Sequence, residues 1–300
     1  MVKKKILISL MFVCFVMSLF ANVPAHPLRE IPLPQSDLCE DLLFPNSIAF
    51  AREQIHRNGG LFNNILVLRV QFPNLPFLDR EQYPAYHPHN YEYFRKHMEH
   101  LRNFYLDASD GNYDLNYRIA PQVYTANHNI EWYTQAGITV QRRVELIDEL
   151  VRWADTDPMN EINFADYQGV IVFHSAPGQE SDISGRNRHR SFLSAMFTQA
   201  SFRLILAPDT SPEDYKGIPT SDGSFVSRVA FLPSEQFHPY FPFNDPNDSN
   251  AYELYRFDIL GGLAQMMGRI MGFPTLFGPG RVAGIGNFCI MGTEIGRAHV

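Results

Sequence analysis

Glutamine, methionine and arginine stand at 265, 266 and 269 in the run Leu263-Ala264-Gln265-Met266-Met267-Gly268-Arg269-Ile270-Met271-Gly272-Phe273-Pro274. Residues four apart on a helix project from one side, so Gln265 and Arg269 share a face. These side chains bring little reactive chemistry. A Gln amide oxygen is a weak metal donor, a guanidinium has no lone pair to give, and a thioether cannot take a proton from water. The histidines lie elsewhere, with His87, His89, His97 and His100 in one stretch. His97 and His100, at i and i+3 of a predicted helix, are close enough to chelate a metal. No Glu or second ligand pair completes a recognised spacing there, so a histidine-rich surface without metal is the simpler reading. His174 and Glu180 are the candidate cleft residues, because a buried strand runs out into a loop between them. A structural role in that loop is the preferred reading of both.

The elements that would position these residues can be traced by periodicity. Asn64 to Phe72 is a nearly continuous β-branched and apolar run, which predicts a buried strand. Tyr93 to Asn103 reads as a helix, and Asp110-Gly111 as a turn into a strand with apolar side chains at 113, 115, 117 and 119. Acidic turns can hold Ca²⁺, but Asp107, Asp110 and Asp114 read as turn formers. A helix from about 140 to 154 puts Val144, Ile147, Leu150 and Val151 on one face, and Tyr167 to His174 is a second buried strand. The stretch from there to Pro246 shows no sustained period beyond short apolar runs at 203–206 and 226–232. A long helix is predicted over 250–272, with N-caps offered by Asn247-Asp248-Ser249 and a stop at Gly272 with Pro274 beyond it.

Four separated segments carry a family resemblance. Leu263-Ala264, Gly268, Gly272-Phe273-Pro274 and Leu276-Phe277 resemble the frame A-H-E-x-G-H-x-x-G-[LF]-P-D-L-Y of the immune inhibitor A-like (M6) secreted metallopeptidases. In the H-E-x-x-H motif two imidazoles grip one Zn²⁺ and the Glu activates its water. Laid on that frame, Gln265 holds the first His slot, Met266 the Glu slot and Arg269 the second His slot. Thr275 stands where family members commonly carry an acid. Gly284-Ile285-Gly286-Asn287-Phe288-Cys289-Ile290-Met291-Gly292 resembles G-I-G-N-W-x-x-M-G, which would make Met291 the Met-turn residue. The segments around Phe104–Leu115 and Val170–Ala176 resemble Y-Y-x-E-x-S-y-G-x-x-x-L and V-V-x-H-A-G of the same family. The resemblance spans roughly residues 62–293. It implies an α+β or α/β chain with the zincin, metzincin-like catalytic-domain fold, built on a mixed sheet and a long former active-site helix.

Composition sets the compartment. Basic residues at 3–5 followed by an apolar run to Phe20 read as a secretory signal peptide over 1–21, with cleavage as late as Ala25. Residues 22–61 then form a proline-containing lead-in, or propeptide-like segment, before the 62–293 domain. Removing Lys3, Lys4 and Lys5 shifts the formal charge from −7 to −10, which argues against nucleic acid or an anionic membrane as partner. Cys14 leaves with the signal. Cys39 and Cys289 remain, and a bridge between them is permitted but not expected. Glu294 to Val300 is what a common sequencing adapter encodes, so the open reading frame is expected to be cut short near Thr293.

The expected function is therefore that of a secreted pseudopeptidase, without zinc or another cofactor, whose cleft is kept for a peptide or protein partner. Two alternatives stand beside it. One is an active metal-dependent endopeptidase that uses relocated histidines. The other is a surface module whose activity lies in domains beyond Thr293.

Overall fold

The computed structural model describes residues 62–77, 88–181, 188–240 and 253–273. The signal and lead-in expectations, His87, Thr275, Cys39, Cys289, Met291, the 247–249 caps and the 294–300 tail lie outside them.

Five strands form the body of one mixed sheet. β1 (Asn64–Gln71), β2 (Asn116–Ile119) and β3 (Tyr124–Thr125) begin it, β2 and β3 both pairing parallel along one side of β1. β4 (Gly169–His174) lies on the other side of β1, with Ile65 opposite Gly169 and Val70 opposite His174. β5 (Ala195–Thr198) closes the far edge, separated from β4 by a later strand. β6 (Ile218–Pro219) and β7 (Phe225–Val226) make a small hairpin, and β8 (Arg228–Pro233) fills the gap between β4 and β5. The order is thus β2-β1-β4-β8-β5, parallel except for β5, which runs antiparallel on β8. A second hairpin joins β9 (Gln236–Tyr240) to β10 (Glu253–Phe257).

The central strands are mainly apolar because helices cover both faces, and the buried Arg69 of β1 donates to the Ala120 and Pro121 carbonyls. On β1, Ile65 and Val67 join one apolar cluster while Leu66, Leu68 and Val70 join the other. β4 alternates in the same way, with Ile171 and Phe173 opposed to Val170 and Val172. The first face carries α1 (Tyr91–Ala108), whose Phe94, Met98, Leu101 and Tyr105 recur at helical spacing. The second carries α2 (Ile130–Tyr133) and α3 (Thr139–Thr156), which brings Val144, Ile147, Leu150 and Val151 inward as their spacing predicts. α4 (Gln199–Leu206) adds Phe202 to that second face, and α5 (Leu260–Ile270) returns to the first. The result is a mixed α+β arrangement of helix, sheet and helix layers.

Three expectations change. The helix predicted over 250–272 is only the 11 residues of α5, because Glu253–Phe257 pairs as β10 with β9. Leu254, Tyr255 and Phe257 are residue types that strands accept readily once a partner strand is present. The stretch without a period holds β5, α4 and the central strand β8. The turn after α1 does form, with Asp110 at φ 53° and Gly111 at φ 76°, but its strand begins only at Asn116. Tyr113 and Leu115 are buried ahead of it, and Asp114 is held by Arg102 at 2.5 Å, a turn-stabilising pair.

Candidate functional site

α5 carries the three positions of interest, and both of its ends are fixed. At the start, Asp258 Oδ1 accepts the Leu260 N–H at 2.7 Å. At the end, Phe273 N–H reaches the Gly268 carbonyl at 2.9 Å and Gly272 N–H the Arg269 carbonyl at 3.0 Å. Gly272 sits at φ 92°, the left-handed position that ends such a helix in a Schellman motif. Arg228 of β8 donates to the Ile270 carbonyl, adding a cation where the helix dipole is negative. Close packing needs a glycine below: a Cβ on Gly169 would lie 2.7 Å from Ile270 Cγ2. Tyr105 of α1 donates to the Ala264 carbonyl at 2.6 Å and fixes the middle of the helix.

Positions 265, 266 and 269 differ in their surroundings. Gln265 is 1% exposed and Met266 2% exposed, and Met266 belongs to the apolar cluster that includes Leu263, Met267 and Phe94. Arg269 is half-buried in the last turn. An ion pair between Arg269 and Asp258 is the natural way to neutralise that guanidinium, but α5 places them at opposite ends. Eleven residues of helix separate them by about 16 Å. Asp258 faces His97 instead.

The histidines do not converge. His89 is 5% exposed, with Nδ1 3.0 Å from Ser234 Oγ and Nε2 3.8 Å from Glu235 Oε2. His97 Nδ1 lies 2.9 Å from the Tyr93 carbonyl, and burial holds its imidazole below the usual range. The Tyr93 ring stands 4.4 Å from His89 and 4.3 Å from His97, filling the space where both would have to meet an ion. His100 is exposed, its ring 6.5 Å from that of His97. Among the described residues no group of three His, Cys, Asp or Glu side chains could hold a metal ion. The order Ser234, His89, Glu235 is that of a nucleophile, base and acid. Ser234 is nevertheless fully buried, and the trio ties the end of β8 to the start of α1.

The two loop candidates both make contacts within the fold. His174 has zero exposure. Its ring stacks on Phe231 at 4.6 Å and meets Phe192 edge-on at 5.1 Å, and neither ring nitrogen has a partner in hydrogen-bonding geometry. Burial, aided by the Arg143 charge, drives its pKa down to about 3, so the imidazole is neutral. Glu180 accepts from the Ser194 N–H and, at 3.2 Å, from Gln236 Nε2. It thus latches the loop after β4 to the starts of β5 and β9. The sequence alone did not single out Ser234 or Arg228, and suggested Asp258 only as an ion-pair partner for Arg269. Only Asp258 leaves a local signal, an acid just before an apolar helix start.

Zinc is the metal the resemblance implies, and the donor set does not fit it. Gln265 and Met266 are packed inside, and the Arg269 guanidinium would repel a dication. No protein-family model, curated protein or solved structure matches the chain.

Proposed function

We propose that the chain is a secreted, non-catalytic relative of the immune inhibitor A-like metallopeptidases that acts by binding a peptide or a protein partner. The observation that carries this reading is the burial of Met266 in the apolar cluster of α1 and α5. The position that should activate water is occupied by a thioether inside the core, and its helical neighbours offer an amide and a guanidinium. The mixed sheet, with its antiparallel edge strand and α5 packed beside it, supports a zincin-like domain as the parent fold. The acidic balance after signal removal favours a partner that is not a polyanion, and no described helix is long and apolar enough to cross a membrane.

Two measurements on purified protein test the proposal together. Metal analysis is expected to find no stoichiometric zinc, and cleavage of denatured protein substrates is expected to be absent with or without chelator. Chelator-sensitive cleavage accompanied by bound zinc would overturn it and favour an enzyme.

A further inference from the structure

Asp258 serves two neighbours with one oxygen. Its Oδ1 holds the Leu260 N–H at 2.7 Å and lies 3.8 Å from His97 Nε2. The His97 Nδ1 is 2.9 Å from the Tyr93 carbonyl. A carbonyl only accepts, so Nδ1 carries the proton in the neutral ring. Neutral His97 therefore turns a lone pair toward the Asp258 carboxylate, at a separation too long for a hydrogen bond. The His97 side chain is 14% exposed, with the Tyr93 ring packed on it at 4.3 Å. Among the described residues, the charged and titratable groups around it are Asp258 at the start of α5, Tyr93 and His100 on α1, and, further along that helix, Arg95 and Glu99 beside Tyr117 of β2.

We propose that protonation of His97 is a switch on the first turn of α5. The proton comes from solvent to Nε2, and the new N–H draws the Asp258 carboxylate toward α1 and off the Leu260 amide. Closing the gap to hydrogen-bonding distance requires a shift of about 1 Å, comparable with the margin that keeps the Leu260 bond intact. The turn then loses its cap, and α5 frays at the end opposite Arg269. Burial opposes the charged ring more strongly than Asp258 favours it, so protonation falls below the free imidazole range. Because the folded-state value is lowered, the linked loss of stability begins as pH falls below about 6.5, and the cap itself is lost as pH falls through the lowered folded value. The inference concerns α5 itself and holds whatever the helix is used for.

Hydrogen exchange at the Leu260 and Leu263 amides of the full chain, corrected for the intrinsic pH dependence of exchange, tests the switch. Protection is expected to fall by up to about tenfold for each pH unit below about 6.5, the slope of one linked proton. Asp258→Asn keeps a capping oxygen without the charge, and His97→Phe keeps a ring without the proton. In both variants protection should stay flat over the same interval. Flat protection in the unmodified protein, or an equal acid loss in both variants, would overturn the switch. So would a His97 ring that titrates by NMR at or above about 6.5.

Discussion

Met266 is the residue at which an open cleft and a closed core make opposite demands. In the core it contributes a flexible apolar side chain to the seam between α1 and α5. Met266→Glu is therefore expected to destabilise the protein by about 3 kcal/mol or more, since it buries a carboxylate without a partner. Denaturant unfolding measures this, and a cost below about 0.5 kcal/mol would place position 266 on a solvated surface. His174 makes a similar point about apolar surroundings. His174→Phe should change stability at neutral pH by less than about 1.5 kcal/mol, because the ring already packs between Phe192 and Phe231. The sequence placed His174 correctly at the end of a strand. It could not say that the aromatic residues around that end come from 192 and 231, far along the chain, and those contacts decide burial.

The secondary-structure elements explain why α5 sits where it does. Gly272→Ala should cost about 1 kcal/mol in thermal or denaturant unfolding, because the left-handed φ of 92° strains any residue with a Cβ. Gly169→Ala should cost about 1–3 kcal/mol through the clash with Ile270, a neighbour with little freedom to yield. Equal stability in either variant would show that the helix end is not held as described. The helices α1 and α3 and the strands β1 and β4 were legible because their apolar periods run long enough to outweigh local noise. The start of α5 was not. Leu254, Tyr255 and Phe257 fit a helix face and a strand equally well, and only the pairing with β9 decides between them. β8 was seen as no more than an apolar run, since its place between β4 and β5 is set by crossovers invisible to local pattern. The residue types at 265, 266 and 269 were legible, whereas the burial of Gln265 and Met266 depended on α1 docking through Tyr105.

Across the whole molecule, pH should act through two buried imidazoles and one carboxylate whose windows overlap in acid. His97 and His174 both have folded-state values lowered by burial, so the stability they contribute is complete above about pH 6.5 and declines as pH falls from there. Asp222, which accepts from Thr220, Ser224 and the Ala165 amide, is held below the usual carboxylate range. Its contribution is lost only as pH falls below about 4. Urea midpoints should therefore begin to drop below about pH 6.5 and keep falling to about pH 3, more steeply once Asp222 also takes up its proton below about 4. A midpoint that is flat until about pH 4 would contradict the assignment of the buried imidazoles as neutral. The central claim, however, concerns the helix that carries Gln265, Met266 and Arg269. Metal content of the purified chain, measured after equilibration with excess zinc and removal of free ion, tests it most directly. The account predicts far less than one zinc per chain, and about one tightly held ion per chain, as in a closed or catalytic zinc site, would contradict it.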